Sequence, residues 1–499
     1  MELAFQKTQY PCLKQVKRDV QKQEQTQELR LDDEMPDIGS VLGTWGQVLL
    51  RGKEWHRGQM CISAGVMAHI LYLPEGGGAP QYVECWIPMQ MSWDLPDTDY
   101  EGTILAFPLL YSADARSISA RRLLVRVTVG MQMEAAVPGA LTVCVAENLP
   151  EDVQCLKTSY PMELPAEMGE RPFSLEEELT IPGGMSKPVK WVYYTLQPQI
   201  LEHRVMAGKM VFRGIARVHV LYLGEDGGLY NIDQEIPFSH YAELSRDYDQ
   251  DATAWVAPAV TSLEIETDEE GNHLLKADIT SQYVIYNRPV VEMVEDAYSL
   301  TREVELEKET VSAEPILDRS AQTLNALQTV QLPVRRVVDI SFMPEHGFVE
   351  KKEEAANVVI PGSYQLLYLD EEDRLQSVTA KWEESWDLPA ASDVKIMTCV
   401  QPCSVPQATM MGDSVTLRGE VCVEGVCCAK QGMEMVSALS LGQEIVPDPD
   451  RPSLILCRSG KESLWSLAKK NKTTPEAICR ANSVESIPQD NRILLIPIP

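Results

Sequence analysis

The sequence predicts a mainly β protein: three tandem β-sandwich-like domains followed by a small β-α-α-β domain. Three observations carry that prediction. The string Leu-Tyr-Leu occurs at Leu71-Tyr72-Leu73, Leu221-Tyr222-Leu223 and Leu367-Tyr368-Leu369, at separations of 150 and 146 residues, and each copy ends a strand-like run. Around the second copy Phe212, Gly214, Ala216, Val218, Val220 and Tyr222 alternate with Arg213, Arg217 and His219, the period-2 pattern of a half-buried strand. Only in the last 47 residues does the period change to that of helices.

Taken in order, residues 1–34 form an N-terminal segment. Gln6 to Gln27 is rich in Lys and Gln with little apolar periodicity, which fits a leading strand or a mobile arm. The first repeat is set at 35–165, the second at 166–315 and the third at 316–445. After each Leu-Tyr-Leu comes hairpin chemistry: Pro74-Glu75-Gly76-Gly77-Gly78, Gly224-Glu225-Asp226-Gly227-Gly228 and Asp370-Glu371-Glu372-Asp373. Ile87-Pro88 and Ile236-Pro237 hold the same register, and Trp93-Asp94-Leu95-Pro96 recurs as Trp386-Asp387-Leu388-Pro389. The two tryptophans can be read as exposed binding anchors or as strand-end packing; recurrence in two copies of one fold favours packing. Units of this size can bury their own cores.

Residues 446–452, Val-Pro-Asp-Pro-Asp-Arg-Pro, read as a stiff extended linker. Within 453–499, Leu454 to Cys457 reads as a strand. Leu464, Leu467 and Ala468 fall at helical spacing behind Glu462 or Ser463 as a cap. Thr474-Pro475 opens a second helix with Ala477, Ile478 and Ala481 as its apolar stripe, and Arg492 to Pro497 closes the domain as a strand.

The formal net charge is -30, unevenly spread. Residues 453–499 hold seven Lys/Arg against four Asp/Glu, a net of +3, which leaves -33 on the body. A body this acidic argues against nucleic acid and anionic membranes as partners. Lys469, Lys470, Lys472 and Arg480 are candidates for a basic docking face, with a merely solvated helix face as the alternative. No stretch approaches the roughly 20 apolar residues that span a bilayer, and Met1 to Lys7 lacks a signal-type apolar segment, so the expectation is a soluble cytosolic protein without membrane insertion.

Gly-x-Ser-x-Gly, His-Glu-x-x-His and Gly-x4-Gly-Lys-Ser/Thr do not occur, and Gly183-Gly184-Met185-Ser186-Lys187 only imitates a phosphate loop. The expectation is no enzyme, no catalytic residue and no cofactor. Cys399, Cys403, Cys422, Cys427 and Cys428 cluster, but at Cys-x3-Cys and Cys-x4-Cys-Cys spacing without the tight Cys-x2-Cys knuckle; reduced thiols are expected and no metal.

Two resemblances sharpen this. Ser463-Leu464-Trp465-Ser466-Leu467-Ala468-Lys469, Thr473-Thr474 with Ile478 and Asn482, and Leu495-Ile496-Pro497 resemble the LysM domain. That resemblance implies a binding surface formed by Lys461, Glu462, Ser463 and Trp465 with Asn482, Ser483, Val484 and Ile487. Lys461-Glu462 replaces the family's usual Gly-Asp in the loop that cradles N-acetylglucosamine chains, so a protein ligand is implied as readily as a glycan. Met35-Pro36-Asp37-Ile38-Gly39-Ser40-Val41-Leu42, followed by the strand into Leu-Tyr-Leu, resembles the SPOCS domain of spore-coat proteins, most densely in the first repeat. SPOCS-like domains before a LysM domain resemble spore morphogenetic proteins of the SipL type and, by role, stage VI sporulation protein D. The resemblance implies a non-enzymatic scaffold in the mother-cell cytoplasm, at the forespore surface and spore coat. Its partners would be an ATPase like stage IV sporulation protein A, bound through the LysM domain, and other coat proteins. The alternative is a peptidoglycan-binding LysM protein of the spore cortex or cell wall.

Overall fold

The computed structural model describes residues 2–56, 58–95, 102–147, 149–268, 271–351, 356–388, 394–446, 452–458, 462–484 and 493–498. Its first unit contains β1 (Glu2–Ala4), β2 (Gln6–Arg30), β3 (Ile38–His56), β4 (Gln59–Pro74), β5 (Gln81–Asp94), β6 (Thr103–Ser119) and β7 (Arg122–Val145). Two antiparallel sheets, β3-β4-β5 and β2-β7-β6, face each other. Between them the inward set Met60, Ile62, Val66 and Ile70 meets Leu123, Val125, Val127 and Val129, all buried. The Lys/Gln-rich segment that the sequence reading set apart at 1–34 is β2, and it pairs with β7 from Gln6 opposite Val145 to Arg30 opposite Arg122. It is one edge of its sheet, so few of its side chains reach the core, among them Val16 and Leu29.

The second unit comprises β8 (Val153–Pro161), β9 (Leu164–Glu178), β10 (Pro188–Gly224), β11 (Leu229–Tyr248), β12 (Thr253–Thr267), β13 (His273–Asn287) and β14 (Val290–Ser299). Its sheets are β9-β13-β12, β10-β11 and β8-β14. β10 folds back on itself: Ala207 has φ 48, and a Cβ at Gly214 would fall 2.1 Å from the Gln199 carbonyl oxygen. Its two halves thus do the work of β3 and β4.

The third unit comprises β15 (Arg302–Ala313), β16 (Ile316–Gln331), β17 (Arg336–Pro344), β18 (Phe348–Lys351), β19 (Ala356–Leu369), β20 (Leu375–Leu388), β21 (Lys395–Pro402), β22 (Gln407–Met411), β23 (Ser414–Cys428) and β24 (Gln431–Glu444). Here β23 takes β16, β21 and β22 as neighbours, and β19 takes β17, β18 and β20. The final module is β25 (Leu454–Arg458), α1 (Leu464–Asn471), α2 (Pro475–Asn482) and β26 (Ile493–Pro497), with β25 antiparallel to β26. No helix among the described residues is long and apolar enough to cross a membrane.

Two shared cores join the units. In the first, each unit contributes an arm made from its first and last strands: the start of β2 with the end of β7, β8 with β14, and β15 with β24. The arms bury Leu141, Val143 and Cys144; Val291, Met293 and Val294; and Met433, Met435 and Val436, one spacing used three times. β1 seals this hub by pairing with β24, Glu2 opposite Ser440, so the start of the chain is stapled to its third unit.

In the second core the opening leucine of each Leu-Tyr-Leu, Leu71, Leu221 and Leu367, meets Leu42, Val192 and Val338. The contacts run head to tail. His69 of unit one lies against the rings of Tyr193 and Tyr194 of unit two. His219 of unit two faces Asp339 of unit three at 2.8 Å. The Gln365 amide of unit three donates to the Thr44 carbonyl of unit one at 2.9 Å and accepts from its N–H at 3.3 Å. Three equivalent faces used in sequence, with the last closing on the first, make a cyclic ring within one chain.

Trp93 is buried, and its indole N–H donates to Asp19 on β2 at 3.1 Å. Trp386 is half-buried beside Gly425 on β23. Pro96 and Pro389 of the repeated motif lie outside the described residues.

Candidate docking site

The C-terminal module is held by its caps. Ser463 Oγ accepts from the Ser466 N–H at 3.1 Å and opens α1, and Lys472 ends it in the left-handed region. Thr474 caps α2 with Pro475 in its first turn, and Ser483 ends it in the same left-handed way. Asn482 clamps β26: its amide donates to the Leu495 carbonyl and its oxygen accepts from the Leu495 N–H, both at 2.7 Å. The buried set is small, Leu467, Ala468, Ile478, Leu494 and Ile496, and it is completed by Tyr298 and Leu300 from the arm of unit two. A domain of this size has little core of its own, so the arm supplies its missing wall.

The polar contacts at that wall are specific. Trp465 Nε1 donates to Asp296 Oδ2 at 2.7 Å, and Lys469 Nζ reaches both oxygens of the same carboxylate at 2.6 and 2.8 Å. Tyr298 Oη donates to the Thr473 carbonyl at 2.6 Å, and its ring meets Trp465 edge to face at 4.9 Å. Lys472 Nζ donates to the Ser299 carbonyl at 3.4 Å. Burial alone would raise the Asp296 carboxyl, but the bonds from Lys469 and Trp465 outweigh it and hold it below its ordinary value. Burial pushes the Tyr298 hydroxyl well up, so it stays a donor.

This seat exists on one arm only. Asp296 follows a bulge, two residues past the inward Val294. Two residues past the equivalent Cys144 and Val436 stand Ala146 and Ala438, which offer no carboxylate. The repeats are therefore alike in their cores and unlike where the module rests.

The structure divides the residues that the sequence singled out. Trp465, Lys469 and Lys472 face the chain's own arm. Ser463 and Asn482 serve the module's internal hydrogen bonding, Ser483 is a helix cap, and the Val484 N–H bonds back to Cys479. Glu462 pairs with Lys470 at 3.8 Å, and Lys470 and Arg480 are exposed. Lys461 and Ile487 lie outside the described residues. Asp296 and Tyr298 carried no local signal: one acid among 74 and one strand tyrosine, some 170 residues from their partners.

One further concave region with converging polar groups is a cavity of about 200 Å³ lined by all three units. Its ionisable groups are engaged. Arg217 bonds Gln199 at 2.7 Å and Glu235 at 3.0 Å, and His346 is bonded by the Tyr111 hydroxyl at 2.8 Å. Among the described residues no group of three or more His, Cys, Asp and Glu is placed to hold a metal ion, and Cys403 and Cys422 are thiols.

Residues 190–268 match the family model described as SipL, SPOCS domain. The matched segment is thus similar to a SPOCS domain of the SipL kind. It covers nearly all of β10 and the whole of β11 and β12, so the match falls on unit two, whereas the densest motif resemblance in the sequence was in unit one. The SipL family is a non-enzymatic, morphogenetic one, and the SPOCS match points to a sporulation-related protein. No curated protein and no solved structure matches the chain.

Proposed function

We propose that this chain is a non-enzymatic scaffold of spore-coat morphogenesis, with the C-terminal LysM-like module docking on the ATPase that coats the forespore, a protein like stage IV sporulation protein A. The observation that carries the reading is the SPOCS match within unit two, the same unit whose arm seats the module. A large acidic ring presents one basic module at a fixed place, which is a geometry for holding two partners at a set separation rather than for turning over a substrate. The acidic faces of the ring recruit or encase further coat proteins, as stage VI sporulation protein D does in role. The peptidoglycan reading is disfavoured by the use of Trp465: its indole N–H is spent on Asp296 and its ring on Tyr298.

The module's outward face, with Lys470 and Arg480, is the docking surface in this reading. The test is binding of the full chain to the purified ATPase and, separately, to peptidoglycan. Capture by the ATPase is expected, weakened and made less salt-dependent by Lys470→Glu with Arg480→Glu, which reverse the charge of that face. Retention on peptidoglycan without binding to the ATPase would overturn it.

A further inference from the structure

We propose that Cys403 and Cys422 form a reversible intrachain disulfide that ties the loop after β21 to the central strand β23 at the seam between units two and three. The geometry starts from the ladder. β21 runs antiparallel to β23 with Gln401 opposite Cys422, and the Cys403 N–H continues the register by donating to the Glu420 carbonyl at 3.0 Å. Residues 401 and 403 therefore project from the same face as 420 and 422, and the two cysteines are diagonal neighbours. Cys403 is the first residue beyond the strand, so a backbone movement at that strand end can bring the diagonal pair into disulfide range. Neither side chain is buried out of reach of reagents.

The surroundings choose which sulfur acts. Cys422 accepts from Gln199 Nε2 of unit two at 3.7 Å and lies 3.7 Å from Thr323 Oγ1 on β16. The Cys403 thiol, the Thr323 hydroxyl and the Arg217 guanidinium favour its thiolate over the opposing burial. Cys403, beside that sulfur and desolvated, keeps its proton more firmly. Cys399 shares the same face but is paired opposite Glu424, and burial pushes its thiol up, which leaves it a poor competitor.

The reaction with a low-molecular-weight disulfide balances in two exchanges. The Cys422 thiolate attacks one sulfur of the oxidant, forming a mixed disulfide and expelling one thiolate. Cys403 then gives its proton to that thiolate and attacks Cys422 Sγ, expelling the second. Two protein thiols are oxidised and one external disulfide is reduced to two thiols.

The test uses the full chain, incubated with oxidised glutathione or with dithiothreitol, then alkylated, digested without reduction and analysed by mass spectrometry. A peptide pair linked through Cys403 and Cys422 is expected in the oxidised sample and absent from the reduced one. In Cys403→Ser a glutathione adduct should persist on Cys422, because the resolving thiol is gone. Iodoacetamide supplied to the reduced native protein at pH 7 should label Cys422 at least several-fold faster than Cys403 or Cys399. Failure of the linked pair to form under conditions that oxidise other cysteines of the chain would overturn the proposal, as would equal labelling of Cys422 and Cys399.

Discussion

At the scale of single residues, two histidines at the joints between units set the pH behaviour of the ring in opposite directions. Burial would lower His219, but Asp339 and Asp233 overcome it and raise the imidazole to about 10. Its protonated form joins unit two to unit three through Asp339, which is 1% exposed, with Asn231 donating to the same carboxylate at 3.2 Å. The stability from this pair is fully present below the ordinary histidine value of 6.5 and is lost as pH rises through about 10. His219→Gln should therefore cost about 3–5 kcal/mol at pH 6, the usual loss when a buried pair is broken from one side. In urea titrations repeated up to pH 10 the gap from the parent protein should narrow; a constant gap would show that the charge is not what matters. His346 behaves in the reverse sense. Burial lowers it to about 4 and keeps it neutral, so its contribution between units three and one is present above 6.5 and lost as pH falls toward 4. Neither role was legible beforehand: in the sequence both are scattered histidines, and their partners lie 120 and 235 residues away.

At the scale of elements, period-2 alternation exposed the central strands because each buries one face. It missed β2, whose polar side chains follow from its place at a sheet edge, where backbone pairing to β7 rather than side-chain burial fixes the strand. β7 in turn depends on a glycine. A Cβ at Gly130 would fall 2.0 Å from the Tyr111 hydroxyl, so Gly130→Ala must expel the ring that holds His346. The expected loss is about 3 kcal/mol, with Gly52→Ala, where nothing lies within 4 Å of a new Cβ, changing little. The module's helices and closing strand were readable from caps and spacing, yet their seat was not, since the recognising carboxylate belongs to another unit. Asp296→Ala should weaken that seat by about 2–3 kcal/mol through loss of charge-assisted hydrogen bonds. Hydrogen exchange should then rise across α1 while β3 to β5 stay protected. Because the Asp296 carboxyl is held low, the wild-type seat should also loosen as pH falls below the ordinary value of 3.8.

At the scale of the whole molecule, the three Leu-Tyr-Leu strings showed that a unit is repeated, but not that the copies close on one another. Repetition by itself fits a string of independent beads. Closure comes from features no local window contains: the Leu71, Leu221 and Leu367 cluster, and the hub to which all three units contribute arms. These shared cores make a thermodynamic claim. Independent beads would melt separately, and a core mutation in one would shift only its own transition. In the ring, Leu221 is fully buried against residues of units one and three, so Leu221→Ala should cost about 2–5 kcal/mol and move the main calorimetric transition of the body as a whole. A chain ending at Ser299 should lack that transition. It removes Val338 and Leu367 from the axial core, takes β15 and β24 from the hub and strips β1 of its partner. The apolar faces left bare on units one and two should then drive self-association, visible by light scattering. Separate, unshifted melting of the first two units in that fragment would show that the ring is only an arrangement of finished domains, and that the shared leucines decorate its axis without binding it.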